Sequence, residues 1–485
     1  MSKAISSNKV VIGDQLIPAT IIFSPKSGKI IKVFESVLHA KDPKLELYNV
    51  ISYRQLGNLC ILPGLVDCHV HLNEPGRTEW EGFATGTQAA AAGGVTTVID
   101  MPLNAIPPTT SLENLNIKLE AAKGQTWVDT GFWGGMIPTN LEDLIPLIEA
   151  GVRGFKGFLM ESGVDEFPKI DPDYITKALK KVQGLDTMLM FHAEMEAGCC
   201  TGELKHKIVT NPHEPPALHN SSTDPDPKHY STFLESRPDM LETNAISHII
   251  ECSKANPTTP VHIVHLSTKE ALPMIVQAKN DYKLPLTVET CFHYLTLSAE
   301  EIPDGATHFK CCPPIRTDEN RQQLWKALQD GTISSVVSDH SPCTPQLKGL
   351  DRGDFLAAWG GITSVGFGLQ LLWTEGSTNF GVTLPDISKW CSYNTAKQVG
   401  LSHKKGSIKM GMDADFVIFD DEITYEISNL KTYFKNKLTA YHGKQMKGRV
   451  METILRGQSI YALGKGVVDV PRGQLLLEPR LGLLQ

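Results

Sequence analysis

Short β-rich apolar segments alternate with helix-patterned segments eight times along the middle of this chain. Segments with helical periodicity, such as residues 141–150 and 175–182, lie between most of the predicted strands. Eight repeats over roughly 280 residues predict a closed (β/α)8 barrel, for which about 250 residues is typical. The predicted strands are residues 61–71, 95–101, 127–136, 152–159, 187–194, 261–267, 286–295 and 333–340.

The two ends of the chain are also β-rich, and their pattern differs from that of the middle. We expect an α/β fold in which residues 59–405 form the barrel. Residues 1–58 and 406–485 are predicted to build one flanking small β-sandwich together. The alternative is an open doubly wound sheet, which would need a glycine-rich phosphate turn or a switch-point crevice to explain function. Neither feature is evident in the sequence.

Charge and composition exclude several classes of function. The net charge of −8 argues against a nucleic-acid surface, because no basic stripe is present to neutralise phosphates. The chain has no apolar run of about 20 residues that could span a bilayer, and its first residues lack the apolar region of a secretory signal. The ten cysteines show no Cys-x-x-Cys spacing. We expect a cytoplasmic protein with reduced thiols and with neither a membrane nor a nucleic-acid partner.

Histidine, lysine or aspartate lies at or near the end of five of the eight predicted strands. Enzymes with this barrel carry their active residues at the carboxyl ends of the strands. The candidates, in the order of strands one, four, five, six and eight, are His69 and His71, Lys156, His192, His265 and Asp339.

This set of side chains has the chemistry of a metal centre. His69 and His71 are two positions apart in a strand, so they share a face and can hold one ion. His192 and His265 can hold a second ion from neighbouring strands, and imidazole with carboxylate suits Zn²⁺. Taken singly, a strand histidine is more often hydrogen-bonded in the core, and Asp339 could cap a helix. The combination in strand order favours metal binding.

Lys156 does not fit a metal centre as an ammonium, because a cation is a poor partner for a dication. Burial and nearby cations lower the pKa of a lysine and make its neutral amine available. A neutral amine can capture CO₂ to form a carbamate, which is an anion with two oxygens. We therefore predict that Lys156 is carboxylated on its Nζ atom and bridges two metal ions; on its own, a surface or ion-paired lysine is the simpler interpretation.

The chain resembles the cyclic amidohydrolase branch of the amidohydrolase superfamily, which contains dihydroorotases, hydantoinases and allantoinases. The resemblance covers residues 62–457 and is strongest to the allantoinase family. It implies a barrel with a flanking β-sandwich and a binuclear centre made of the six candidates, with Lys156 carbamylated. Two divalent ions are implied, with zinc placed first and manganese or cobalt as alternatives. The motifs that carry the resemblance are residues 69–82 (HVHLNEPGRTEWEG), 100–104 (DMPLN), 313–316 (PPIR), 338–343 (SDHSPC) and 358–362 (AWGGI).

The resemblance also implies a reaction. A cyclic ureide, allantoin, would be hydrolysed to allantoate in purine catabolism by hydroxide held between the two ions, with Asp339 as general base and then acid. Dihydroorotases usually place an arginine for the substrate carboxylate where this chain has Asn73, and allantoin lacks that carboxylate. The alternatives are a hydantoinase or dihydroorotase activity, or a non-catalytic scaffold on the same fold.

Substrate contacts are predicted at Asn73, Cys311 and Ser341. Each has an alternative role, as a loop-forming amide, a buried thiol and a helix-capping hydroxyl respectively. Glu74 and Arg77 are expected to pair with each other and fix their loop. The insertion at residues 211–227 and the tail at 466–485 receive no assigned role, and the sequence permits a homo-oligomer without fixing its size.

Overall fold

The computed structural model describes residues 1–196, 225–480 and 482. We number its strands β1–β18 and its helices α1–α14 in chain order. Nine strands form one mostly antiparallel sheet, and the others form the barrel. The strands of the nine-stranded sheet are β1 (Ser2–Ile12), β2 (Gln15–Phe23), β3 (Ile30–Phe34), β4 (Val50–Gln55), β5 (Cys60–Pro63), β15 (Phe416–Glu426), β16 (Gln445–Leu455), β17 (Gln458–Ala462) and β18 (Gly466–Val467).

Both ends of the chain build this nine-stranded sheet, as predicted. Its order is β18-β17-β16-β15-β5-β1-β2-β3, and β4 pairs with β1. The two halves join where β5 pairs antiparallel with β15, with Pro63 opposite Phe416. On its other edge β5 runs parallel to β1. Residues such as Ile21 and Ile418 from the two ends share one apolar cluster, so burial as well as hydrogen bonding holds the halves together. The domain bounds at residues 58 and 405 stay a prediction.

The barrel consists of parallel strands in chain order, which confirms the predicted α/β barrel class. The run β6-β7-β8 meets the run β9 to β14 where Arg153 N donates to Phe132 O. The circle closes through a parallel bridge between Val70 and His340. Nearly all strand residues are buried, because side chains fill the interior and helices cover the outside. The strands are β6 (Leu65–Val70), β7 (Val95–Asp100), β8 (Asp129–Phe132), β9 (Gly134–Gly135), β10 (Phe155–Phe158), β11 (Leu189–His192), β12 (Val261–Ile263), β13 (Leu286–Cys291) and β14 (Ser335–Val337).

Two predicted strands divide in the structure. The segment 61–71 becomes β5 and β6, which belong to different sheets. The break falls at Gly64, where an added Cβ would lie 2.2 Å from the hydroxyl oxygen of Thr96, so the chain passes too close to its neighbour for a side chain. The segment 127–136 divides into β8 and β9 at Trp133. Apolar composition continues across both breaks, which is why the pattern did not show them.

Helices follow most barrel strands. Helix α5 (Pro172–Lys181) is an example. Asp171 caps its amino terminus, Pro172 is its first residue, and Ile175 and Leu179 lie on its buried face. None of the described helices is both long and apolar enough to cross a bilayer. The helices are α1 (Pro43–Leu47), α2 (Phe83–Ala92), α3 (Leu112–Ala122), α4 (Leu144–Glu149), α5 (Pro172–Lys181), α6 (Tyr230–Ser236), α7 (Asp239–Ala255), α8 (Leu272–Asn280), α9 (Phe292–Thr296), α10 (Asp318–Gln329), α11 (Pro345–Lys348), α12 (Gly368–Asn379), α13 (Leu384–Ser388) and α14 (Asn394–Gln398), with a π-helical turn Lys389–Tyr393 between the last two.

The segment after β18 covers the amino-terminal side of the barrel. Thr130 N donates to Gln474 O at 2.9 Å, and Leu476 N donates to Thr130 O at 2.8 Å. Arg480 pairs with Asp186, just before β11, at 2.7 Å. The described part of the tail is therefore bound to its own chain at the end of the barrel opposite the strand ends that carry the candidate residues.

Candidate metal centre

The six predicted metal-binding side chains meet at the carboxyl ends of the barrel strands. They come from five strands or the residues just beyond them, as predicted, and none of the six is more than 6 % exposed. Charged and imidazole groups are rarely buried together unless they bind one another or a ligand. The six side chains fall into two groups of candidate ligands, with Lys156 close to both.

The first group contains His69, His71 and Asp339. The Oδ1 atom of Asp339 lies 3.1 Å from Nε2 of His69 and 3.5 Å from Nε2 of His71. The Nε2 atom of His69 is buried and has no hydrogen-bond partner among the described residues. One carboxylate oxygen and two imidazole nitrogens, all within 4.8 Å of one another, fit a single divalent ion.

The second group contains His192 and His265 from adjacent strands. Nδ1 of His192 lies 3.0 Å from Nε2 of His265, and the two rings meet edge to face. The ring of His265 lies 5.5 Å from that of His69, so the two groups are close enough to hold neighbouring ions. Phe158 stacks on His192 and fixes its plane.

Lys156 is buried in the barrel between these groups. Its positive charge is among the causes that lower the pKa of His71, His192 and His265, so it lies near all three. Burial lowers the pKa of Lys156 to about 8, against the opposing effect of Asp339. A lysine with this pKa has an appreciable neutral fraction near physiological pH, which carbamate formation requires.

His265 and Asp339 differ from the other candidate ligands in their backbone conformation. His265 has a φ of 38° and Asp339 a φ of 43°, in the region that residues with a side chain seldom adopt. Both residues lie beyond the last ladder residue of their strands, β12 and β14. Strained backbone of this kind concentrates at functional sites. The predicted strands were too long here, because the chain leaves the ladder to aim these side chains.

Glu289 is a residue of the candidate site that the sequence did not indicate. It lies on β13, and its Oε1 accepts a hydrogen bond from Nδ1 of His69 at 2.5 Å. Its Oε2 lies 3.0 Å from Nε2 of His262. Burial alone would raise the pKa of Glu289, but the two histidines hold it well below its usual range. The ionised Glu289 therefore fixes Nδ1 of His69 as the donor and leaves Nε2 facing Asp339.

Glu194 has the same role for the second group. Nε2 of His192 donates to Oε2 of Glu194 at 2.6 Å, which turns Nδ1 towards His265. The same oxygen of Glu194 is paired with Arg237, at the end of α6. Burial alone would raise the pKa of Glu194, but Arg237 and His192 lower it to about 2. Glu194 lies two positions after His192, just beyond the end of β11, and this spacing is a signal that could have indicated the pair.

Asp339 is ionised in this arrangement. Burial would raise its pKa, but the charge of His69 and the close approach of the His69 and His71 rings to its carboxylate hold it well below the usual range. Asp339 in turn is the main cause that raises the pKa of His69 against the lowering effect of burial. A donor set of imidazoles and a carboxylate suits borderline divalent ions.

The three predicted substrate contacts have different surroundings. Asn73 is buried with a φ of 62°, its amide donates to Pro342 O, and its Oδ1 has no partner among the described residues. Cys311 is fully buried, and its thiol lies 3.4 Å from the carbonyl oxygen of Pro313. The hydroxyl of Ser341 donates to Asp339 O and accepts from Ile362 N, so backbone groups occupy it.

The expected pairing of Glu74 with Arg77 is wrong. Arg77 pairs with Glu166 and donates to the carbonyl oxygen of Asn104. Glu74 instead accepts from the backbone N–H of Phe83, at the start of α2. Glu74 and Arg77 bind different partners because the chain makes a turn between them, in which Arg77 N donates to Asn73 O. Most of the predicted insertion at residues 211–227, and Cys199 and Cys200, lie outside the described residues.

Comparison with protein families and curated proteins gives a consistent result. The family model described as "Amidohydrolase family" matches residues 60–460. An allantoinase of Saccharomyces cerevisiae is 55 % identical over 481 residues, which cover 98 % of this chain and 99 % of that protein. An allantoinase of Streptomyces avermitilis is 46 % identical over 421 residues, which cover 87 % of this chain and 88 % of that protein.

Solved structures share the architecture. The dihydropyrimidinase from Brevibacillus agri superposes with a TM-score of 0.82 over the whole of both chains, at 26 % sequence identity. An L-hydantoinase from Arthrobacter aurescens gives a TM-score of 0.83, covering 99 % of this chain and 100 % of that one, at 22 % identity. The second likeness shows the fold alone.

Proposed function

The chain belongs to the amidohydrolase family, and from this premise we propose that it hydrolyses the cyclic amide bond of allantoin to give allantoate. The reaction class is supported by the six metal-binding types of side chain gathered at one barrel rim. The substrate is supported by allantoinases that match nearly the whole chain, among them one at 55 % identity. A non-catalytic scaffold has no need to keep all six side chains buried in one place.

The centre we propose contains two divalent ions, with zinc as the first choice and manganese or cobalt as alternatives. His69, His71 and Asp339 would hold one ion, and His192 and His265 the other. Lys156, carboxylated on Nζ, would be the ligand that the two ions share. When bound, such ions lower the pKa of water towards neutrality and polarise the amide carbonyl as Lewis acids.

Asp339 is the side chain that we assign to proton transfer. It is ionised and lies at the rim, so it can accept a proton from the attacking water and deliver it to the departing ring nitrogen. Its backbone carbonyl is fixed by the hydroxyl of Ser341 at 2.9 Å. The carboxylate is thus held by its own backbone as well as by His69 and His71.

Asn73 supports a substrate without a carboxylate. A guanidinium at this buried position would be an unpaired charge when a neutral ring is bound, which is costly. The amide is neutral, and its Oδ1 is available to accept a hydrogen bond from a ureide N–H. We therefore assign Asn73 to recognition of the substrate, with Cys311 and Ser341 in the adjacent wall.

A side-by-side assay tests the proposed substrate. Purified enzyme, loaded with zinc in the presence of bicarbonate, is given allantoin, dihydroorotate and hydantoin at equal concentrations. We expect kcat/KM for allantoin to exceed the other two by at least a factor of about 10². A higher value for hydantoin or dihydroorotate would assign the enzyme to the corresponding alternative activity. Elemental analysis of the same sample should give two ions per chain, and intact mass should show one added CO₂.

Asp339→Asn tests the proton-transfer role. The amide keeps the shape of the side chain but cannot accept the proton, so kcat should fall by about 10²–10⁴-fold. KM for allantoin should change much less. Near-normal turnover in a variant that still carries both ions would show that another group moves the proton.

The remaining parts of the proposal concern the setting of the enzyme. We propose a cytoplasmic location and leave a homo-oligomer open. The eight cysteines in the described part of the chain are all free thiols, which suits a reducing compartment.

A further inference from the structure

His293 is a buried histidine without a hydrogen-bond partner among the described residues. It lies on α9, directly after β13, and is 0 % exposed. Neither of its ring nitrogens makes a hydrogen bond to the described residues. A neutral imidazole in this position offers one N–H donor and one lone pair. A buried polar group of this kind indicates a ligand, since leaving it unpaired costs free energy.

The surroundings of His293 are those of a metal site. Ligand atoms of Cys291, His293 and Asp339 lie within 4.8 Å of one another, and all three residues are buried. The set differs from the centre described above in two of its three members. Neither Cys291 nor His293 has a part in the proposed reaction.

We propose that Cys291, His293 and Asp339 form a third metal site, which takes a soft divalent ion such as Zn²⁺ and inhibits the enzyme when occupied. A sulfur, an imidazole nitrogen and a carboxylate oxygen are a known donor combination for zinc, with one position left open. The thiol loses its proton to solvent as the sulfur–metal bond forms, so one proton leaves for each ion bound. Thiolate selects against Mn²⁺ and Mg²⁺, which prefer oxygen.

Inhibition follows from the shared carboxylate, and this step rests on the proposed function. Asp339 is assigned to accept a proton during the reaction. A third cation on its carboxylate would occupy the electron pair that the proton needs. The site therefore makes the enzyme sensitive to zinc above the amount that fills the two catalytic positions.

Titration of the loaded enzyme tests the proposal. Enzyme that already holds two zinc ions is equilibrated with increasing free Zn²⁺ or, in parallel, with Mn²⁺. Bound metal is counted by elemental analysis, and allantoin hydrolysis is measured on the same samples. We expect a third zinc ion per chain and a loss of at least 10-fold in kcat as that ion binds, and neither effect with Mn²⁺. Saturation at two zinc ions would overturn the proposal.

Two variants locate the third ion. Cys291→Ser and His293→Gln should each keep two zinc ions and the basal activity but lose the third ion and the inhibition. Cys252→Ser, which changes a buried thiol on α7, should behave as the wild type. Retention of the third ion in both variants would refute the site.

Diffraction at the zinc absorption edge tests the site in the wild-type protein, so it does not depend on whether the variants fold. Wild-type crystals soaked in excess zinc should show an anomalous peak among Cys291, His293 and Asp339, and a third peak elsewhere would refute the site. The metal count and the peak do not depend on substrate. A third ion in an enzyme that leaves allantoin intact would therefore refute the proposed function and keep the site.

Discussion

At the scale of single residues, the centre is defined by which ring nitrogen each histidine turns inward. Glu289 binds Nδ1 of His69, so Nε2 faces the centre. Glu194 binds Nε2 of His192, so Nδ1 faces the centre. The two carboxylates thus choose opposite tautomers for two histidines in one site. Each histidine presents a free nitrogen to an ion only while its carboxylate keeps the other ring nitrogen protonated. Metal affinity should therefore depend on Glu289 and Glu194, which do not touch the metal.

Neutralising either carboxylate tests this dependence. Glu289→Gln and Glu194→Gln should each weaken metal binding by about 10–100-fold, because the amide no longer fixes the ring and no longer raises its basicity. Competition with a chromophoric chelator measures the affinity directly. Glu319→Gln, which removes an exposed partner of Lys269, is the control and should bind metal as the wild type does. Unchanged affinity in both buried variants would contradict the assigned role.

That the six candidate side chains meet could be predicted from the sequence, because strand geometry brings them to one rim. His69 and His71 were visible as a pair two positions apart, and the others as polar residues at strand ends. Glu289 and Arg237 were not predictable. Their significance depends on which side chains face them across neighbouring strands and loops, and a single sequence does not contain that information.

At the scale of elements, a buried lysine joins the barrel to the nine-stranded sheet. Nζ of Lys405 lies 2.6 Å from Asp129, at the start of β8, and 2.9 and 2.7 Å from Asp413 and Asp415, just before β15. Burial would lower the pKa of Lys405, but the three carboxylates hold it well above the usual range. The side chain of Lys405 is 1 % exposed. One ammonium therefore compensates carboxylates from both parts of the fold.

Lys405→Met should be strongly destabilising. Removing the cation leaves buried carboxylates without their counter-charge, which typically costs about 3–5 kcal/mol. Urea unfolding of the metal-loaded enzyme measures the free energy of unfolding. Lys177→Met removes an exposed pair with Asp173 and should cost less than about 1 kcal/mol. Equal losses of unfolding free energy in the two variants would show that the buried ion pairs of Lys405 stabilise the fold no more than an exposed pair does.

The eight-strand pattern correctly predicted the barrel strands but not the residues at which they end. The segment 333–340 was predicted as one strand, but β14 covers Ser335–Val337. The following residues keep a β-like composition while Asp339 adopts positive φ. Composition describes which residues are buried, whereas the ladder ends where the backbone turns to present a side chain.

At the scale of the whole molecule, metal and stability are linked. In the metal-free protein, burial lowers the pKa of His71, His192 and His265 below the ordinary 6.5. The unfolded chain then binds protons on these residues more readily than the folded protein does. The raised pKa of His69 acts in the opposite direction, but it concerns one histidine against three. The stability that these three histidines contribute is fully present above pH 6.5. It is lost as the pH falls through their lowered pKa values in the folded protein. Bound ions favour the folded state further, by an amount that grows with the logarithm of their concentration relative to Kd.

We predict that the metal-free enzyme becomes less stable as the pH falls from 7.5 to about 5.5. Thermal unfolding after chelator treatment measures this, and the same protein reloaded with zinc should unfold at a higher temperature at pH 7.5. A metal-free His265→Asn variant should show a shallower dependence, since one of the three histidines is gone. A metal-free enzyme that gains stability towards pH 5.5 would contradict the sign.

The two-part architecture could be predicted from the β-rich ends, but the position of the tail could not. Residues after β18 have little periodicity, and their place under the barrel depends on contacts such as Arg480 with Asp186. Pairings between segments so far apart have no local signature in the chain.

The pairing of β5 with β15 has a consequence for how the protein is made. β5 ends at Pro63, while β15 begins at Phe416, so one of its two neighbours is translated only after the whole barrel. Until then the nascent chain presents an unpaired strand edge, which is a template for association with other chains. The ribosome-bound intermediate therefore exposes a strand edge that the finished protein covers.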